Sequence, residues 1–390
     1  MAACVNNKIY LAIFWFCLLK SCVYSASIDY SKNKGDFGNS QDATLRMVHV
    51  FLRHGERTPA DTYPTDPYLN FTFPPFGLGA LTSNGIQSMI DNGKWLRKRY
   101  QNLLPKFNQQ DIYAQCTDVS RTKKSTSLNL EGMFPLSETN NQQIPYTFQP
   151  LAEDTLLLVR TGCARYDEAL QEVNNLPAIK KMMDDNKPLL KDLSFITNMS
   201  IVTPDDVQSL FSTLRSEVLY EPKLVLPKWT QDYYPDKLLP LTLESFRLNI
   251  YTDEMQRIKG GQFLKLLVNN WTSFIKNGYS DNARKFNLFL GHDSTSVNIL
   301  AALGIWRNEF PDFGIGGIVE LYEGKNLKYF VKVYYKELGK EPELRKIPGC
   351  NEECTLEEFV NVRSKTISTD LNKECIPKNP DATTAKPLGP

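Results

Sequence analysis

The stretch LRMVHVFLRHGERTP, residues 45–59, joins a continuous apolar run to a loop carrying Arg53, His54, Glu56 and Arg57. A strand that is apolar at successive positions is covered on both faces, as in the sheets of α/β proteins. In such sheets ligands collect beyond the carboxyl ends of the strands, which is where this charge sits. Two arginines and a histidine so close together repel one another unless an anion lies among them. His49, inside the apolar run, reads as a satisfied core histidine.

Working outward, residues 83–104 have helical spacing, with Ile86, Met89, Ile90, Leu96, Tyr100 and Leu103 on one face and Thr82 or Ser83 as cap. IYAQCT (112–117) predicts a short strand and residues 120–134 a helix. From about 140 to 258 this rhythm gives way to a polar, proline-punctuated, aromatic-rich stretch with helical patches such as 167–175. A second clear unit follows: helix 261–276, strand 285–291, helix 294–305, then an alternating hairpin over 317–336. The expected fold is α/β, a mixed, mostly parallel sheet flanked by helices, with an inserted, mainly helical cap lobe. The α/β domain is assigned to 44–139 plus 259–377, the lobe to 140–258, and a flexible tail to 378–390.

Composition limits the functions available. With 390 residues, 42% of them hydrophobic, the chain can bury a sizeable core. A net charge of +1 excludes nucleic-acid binding by bulk electrostatics. Residues 1–26 read as a secretory signal, with Lys8 ahead of the apolar stretch 10–19 and small residues before the expected cleavage. No later run is long enough to span a bilayer, so no membrane anchor is expected. Of eight cysteines, five lie beyond the signal: Cys116, Cys163, Cys350, Cys354 and Cys375. In an oxidising compartment that count implies two bridges and one free thiol, with the pairing left open. Cys350 and Cys354 as a metal pair would lack a nearby histidine or second close pair. Asn70, Asn198 and Asn270 each open an N-x-S/T triplet usable for glycosylation on the secretory route.

The chain has three histidines, and two of them fall at strand ends: His54, and His292 in Gly291-His292-Asp293. Arginines grip phosphate oxygens through planar, permanently charged donors. An imidazole nitrogen among them can attack phosphorus and form a phosphohistidine. Arg53 and Arg57 supply such a grip, and Arg121, just after the strand 112–117, completes it. Asp293 is the candidate acid for the leaving oxygen, and His292 a donor to the phosphate. Cysteine-based phosphatase chemistry needs C-x5-R, whereas Cys116 and Arg121 give C-x4-R; Cys116 reads as a small buried residue. Metal hydrolysis lacks ligands, so neither metal nor other cofactor is expected.

RHGxRTP at 53–59, DVSRT at 118–122 and GHD at 291–293 resemble the histidine acid phosphatases, the branch that holds the prostatic, lysosomal and insect venom enzymes. The likeness extends from about 45 to 375 and takes in LTSNG (81–85), GCARY around Cys163, IPGCNEEC (347–354) and NKEC (372–375). It implies His54 as nucleophile, Arg53, Arg57, Arg121 and His292 on the phosphate, and Asp293 as acid. It also implies bridges Cys163–Cys375 and Cys350–Cys354, with Cys116 free. A further bridge of vertebrate members has no counterpart, the matching regions 216–222 and 314–321 lacking cysteine. The lysosomal relatives' membrane helix is missing too, so a secreted protein is expected, or a soluble one of the lysosomal lumen. The expected activity is acid hydrolysis of small phosphomonoesters or phosphoproteins. The alternatives carried are a phytase-like phosphatase and a non-catalytic secreted or venom protein that kept the fold; homodimer formation is left open.

Overall fold

The computed structural model of the chain describes residues 43–158 and 162–382. The signal assigned to 1–26 and residues 383–390 of the tail assigned to 378–390 lie outside them. The chain begins with β1 (Thr44–Arg53), α1 (Ser83–Arg99), β2 (Ile112–Cys116) and α2 (Ser120–Met133). Five helices follow: α3 (Ala164–Asn174), α4 (Pro177–Thr197), α5 (Pro204–Leu219), α6 (Thr230–Tyr233) and α7 (Leu239–Asn249). Then come α8 (Asp253–Asn277), β3 (Phe286–Gly291), α9 (Asp293–Ala302), β4 (Gly316–Glu323) and β5 (Tyr329–Lys336). β6 (Glu343–Arg345), β7 (Cys354–Thr355), α10 (Leu356–Val362) and α11 (Leu371–Glu374) complete the described elements.

One mixed sheet has the order β2-β3-β1-β4-β5-β6, with β7 beside β5. Its core, β2-β3-β1, is parallel, and the expected hairpin β4–β5 lies antiparallel along β1. Alternation along β1 explains its unbroken apolar run. Val48, Val50 and Leu52 pack with Leu96, Tyr100, Leu130 and Met133 on the α1/α2 side. Met47 and Phe51 pack with Phe263, Leu267, Trp271 and Leu300 on the α8/α9 side. Both faces are covered, as a parallel core requires. Register then aligns the strand ends: Leu52 pairs with Leu290, Leu290 with Cys116, and Arg53 with Gly291. Residues 53–54, 291–293 and 117 therefore emerge together.

Three features depart from the sequence expectation. Helix α8 starts at Asp253 rather than 261, capped by Thr252 Oγ1, which accepts from Met255 N–H. It runs through Gly260 and Gly261 because backbone crosses there; a β-carbon would lie 2.3 Å from Asn298 O and 2.4 Å from Thr366 O, respectively. Residues 144–158, placed in the lobe by composition, lie against the sheet. Thr147 bridges to Gln115, Ile144 joins the α1/α2-side core and Leu157 the α8/α9-side core. Finally, Asn270 sits within α8 with its Nδ2, the atom a glycan would take, 3.1 Å from Nε2 of buried His49. Burial holds that ring neutral, its pKa down to about 3, so Nε2 accepts the amide proton. Asn70 and Asn198 are exposed.

Cys163 is bonded to Cys375 and Cys350 to Cys354, and Cys116 is a buried free thiol. Among the described residues no helix is long and apolar enough to cross a membrane.

Candidate active site

His54 is fixed by backbone on both sides: its N–H donates to Gly291 O (3.0 Å), and its carbonyl accepts from Gly314 N–H (3.1 Å). Gly55 N–H donates to Ser125 Oγ at 3.1 Å. The ring's Nδ1 faces Gly55 O at 2.9 Å, and a carbonyl only accepts, so Nδ1 carries the proton. The lone pair is then on Nε2, where Arg121 Nε donates to it at 3.1 Å. The imidazole is thus held in one tautomer, its nucleophilic nitrogen beside a guanidinium.

A similar deduction fixes His292. Thr122 Oγ1 lies 2.8 Å from Val119 O and 2.9 Å from Thr117 O, so its proton goes to a carbonyl and it accepts from Thr117 Oγ1 at 2.9 Å. Thr117, its proton used, accepts from His292 Nε2–H at 2.9 Å. His292 Nδ1 faces Arg121 Nη2 at 3.4 Å. The two imidazole centroids are 5.6 Å apart, with Arg121 reaching both.

The other arginines are anchored separately. Arg53 lies over the Phe313 ring at 4.3 Å, donates to Pro311 O at 2.5 Å, and pairs with Asp293 Oδ2 at 3.1 Å. Arg57 donates to Thr58 O (2.9 Å), Ser216 Oγ (3.3 Å) and Ser212 Oγ (3.2 Å), the serines coming from α5. Asp293 opens α9, its Oδ1 accepting from Ser294 N–H at 2.8 Å. Glu56, between the arginines in sequence, turns away and accepts from Thr82, the cap of α1.

All three arginines and both histidines are buried. Burial, and then Arg121, Arg53, His292 and Arg57, hold the His54 pKa well below the ordinary value. Burial pulls Arg57 down to about 9, helped by Arg53 and Arg121, which still leaves it charged in neutral or acid solution. Burial pushes Asp293 upward but is outweighed by Arg53, His292, the Ser294 N–H and Arg57, so its carboxyl lies below its usual range. Three guanidinium groups against one carboxylate leave excess positive charge, and Arg53 Nε and Arg57 Nε are buried without an acceptor. Such a cluster favours a compact anion with several oxygens. Among the described residues no cluster of three or more His, Cys, Asp or Glu is arranged to hold a metal ion.

Arg53, His54, Arg57, Arg121, His292 and Asp293 thus converge from three separate stretches of chain: the end of β1 with the loop after it, the start of α2, and the junction of β3 with α9. Thr117, Ser212, Ser216, Pro311 and Phe313 are partners the sequence did not reveal. Only Thr117 carried a signal, as the last residue of the predicted strand 112–117.

The model of the histidine phosphatase superfamily, branch 2, matches residues 44–336. Human lysosomal acid phosphatase is 30% identical over 345 residues, covering 85% of this chain and 80% of that protein. The venom acid phosphatase of Apis mellifera is 28% identical over 345 residues, covering 85% and 88%. The solved structure of a Hafnia alvei phytase in complex with tartrate superposes with a TM-score of 0.64 at 19% identity, covering 86% of this chain and 99% of that one. At that identity the likeness concerns the fold.

Proposed function

The chain belongs to branch 2 of the histidine phosphatase superfamily and is a phosphatase of the acid phosphatase kind; from that premise we propose that it hydrolyses phosphate monoesters through a covalent phosphohistidine on His54. The observation that carries the reading is the His54 ring, fixed by Gly55 O so that the Nε2 lone pair lies beside Arg121. The substrate's phosphate oxygens engage Arg53, Arg57 and Arg121, and also His292 through Nδ1 when that nitrogen is protonated, since its Nε2–H is held by Thr117. His54 Nε2 attacks phosphorus as the ester P–O bond breaks, and the leaving oxygen takes a proton from Asp293. Water then attacks the phosphoimidazole, gives its proton to the Asp293 carboxylate, and releases inorganic phosphate with His54 restored.

The electrostatics favour acid solution. His54, its pKa lowered, stays unprotonated and nucleophilic below pH 6.5. Asp293 is ionised before substrate binds, and a bound phosphate dianion offsets the arginine charge that keeps it so. Its pKa therefore rises on binding, and the carboxyl can hold the proton the leaving group needs. As the solution becomes alkaline that proton is lost, and with it the acid.

Secretion, or delivery to the lysosomal lumen, is supported by the disulfides. Glycans are assigned to Asn70 and Asn198; Asn270 is set aside because its nitrogen is bonded to His49. The helices α3–α7 are assigned as a cap lobe whose α5 reaches the site through Arg57. The test is turnover of a panel of phosphomonoesters, with inositol hexakisphosphate included, between pH 4 and 8. Simple monoesters should be hydrolysed best in acid and not at all by His54→Ala. Selective action on the inositol compound would favour the phytase-like alternative, and no turnover of any ester would favour a non-catalytic role.

A further inference from the structure

Helix α5 touches the segment leaving the RHGERTP loop along one face. Ser212 Oγ and Ser216 Oγ accept from Arg57, and Thr213 Oγ1 donates to Asp61 O at 3.1 Å. One helical turn on, the Glu217 carboxyl meets that of Asp66, and Tyr220, at the helix end, donates to Pro74 O at 2.5 Å. Positions 212, 213, 216, 217 and 220 share one helical face. Among these contacts Glu217 and Asp66 are chemically odd. Both are buried, and Asp66 Oδ1 accepts from Tyr68 N–H at 2.7 Å. Drawn as two carboxylates, Asp66 Oδ2 and both Glu217 oxygens have no donor. Two acceptors that face each other in a dry interior need a proton between them.

We propose that Ser212 and Ser216 are positioning residues for Arg57, and that a proton shared by Glu217 and Asp66 fastens α5 behind them, so that Arg57 is held in acid and loosened as that proton is lost. The inference rests on the reading of Arg57 as a phosphate ligand. Tyr63 and Asp66 face Glu217 from the loop, Tyr68 lies behind them, and Arg57 and Asp61 flank the serines. Helix α7 presents apolar Leu241, with Leu238 just before it. Burial first, and Asp66 second, push the Glu217 acid up to about 9, and burial raises Asp66 as well. The sign follows: the folded chain keeps a proton that the unfolded chain gives up near 4.5. Stability is therefore full below that pH and falls as the pH rises to about 9.

The test compares the whole protein with Glu217→Gln, Asp66→Asn and the double variant Ser212→Ala/Ser216→Ala, reading thermal unfolding and inorganic-phosphate affinity from pH 4.5 to 9.5. Glu217→Gln should flatten the fall in unfolding temperature with pH, and the alkaline loss of phosphate affinity should shrink with it. The double serine variant should weaken phosphate binding and raise KM by ~10-fold, from hydrogen bonds to a charged group, with phosphoenzyme formation slowed far less. A pH slope identical to the parent's in both carboxyl variants, or unchanged phosphate affinity in the serine variant, overturns the proposal. If neither carboxyl variant folds, infrared spectra of the parent at pH 7 decide: a carboxylic-acid carbonyl band that disappears toward pH 9.5 supports it, and its absence refutes it. The unfolding and infrared readings need no turnover, so failure here is separable from failure of the phosphatase reading, which turnover and its loss in His54→Ala test.

Discussion

Replacing Asp293 by Asn keeps the shape of the side chain, removes one negative charge and removes the proton donor. If Asp293 protonates the leaving oxygen, its value depends on how much that oxygen needs a proton. An alkyl alkoxide is a very poor leaving group, whereas nitrophenolate departs readily. General-acid assistance is worth ~10²–10⁴-fold, or about 3–5 kcal/mol of barrier. Phosphoenzyme formation from an alkyl phosphate should fall by that factor, and from nitrophenyl phosphate by less than ~10-fold. Ground-state binding should move the other way. Asp293 Oδ2 lies 3.1 Å from Arg53, and a carboxylate about 5 Å from a bound phosphate repels it by about 3 kcal/mol per pair of charges at an effective dielectric constant near 20. Asn removes that repulsion, so phosphate affinity above pH 6 should hold or improve. Arg53 keeps its Pro311 and Phe313 contacts, which limits any structural loss. Single-turnover bursts are the assay, because steady-state rates also contain phosphoenzyme hydrolysis. Equal losses on both esters would mean that Asp293 only orders or charges the site.

Arg121→Gln removes the donor to His54 Nε2 and one cause of that ring's lowered pKa. His54 should then protonate at higher pH, so the acid limb of the kcat/KM profile moves upward, with phosphate affinity down ~10-fold or more; an unmoved limb would contradict the proposed electrostatics. Gly132→Ala sets a β-carbon 2.1 Å from Ile90 O, where α1 and α2 cross. Overpacking of that kind should cost about 1–3 kcal/mol in urea unfolding, and an unchanged midpoint would mean the helices separate freely.

Much of this was legible because local pattern and tertiary role coincide. The run before Arg53 is apolar at alternate positions on both faces because helices cover both sides of β1, and RHGERTP follows where such a strand must end. Arg121 and His292 were legible for the same reason, each close behind a strand. The supports of Arg57 were not: Ser216 lies 159 residues away, and a serine on a helix gives no sign of what it faces. Phe313 and Pro311, in the loop before β4, were equally silent. Asn270 shows the opposite case, a triplet that reads as an acceptor while packing sets its nitrogen against His49. Residues 144–158 are polar and irregular like the lobe beyond them, and it is the bridge at Gln115–Thr147 and the packing of Ile144 and Leu157 that tie them to the sheet. Composition reports segments, whereas contacts between distant segments depend on topology.

The most direct measurement is to quench a single turnover with labelled phosphomonoester in alkaline denaturant, where phosphohistidine survives, and to locate the label by peptide mapping. The chemistry proposed here predicts one phosphate per chain on His54, formed in the burst, lost on acid treatment, and absent from His54→Ala. Label on serine, aspartate, cysteine or His292, or turnover by His54→Ala at the parent's rate, would contradict it.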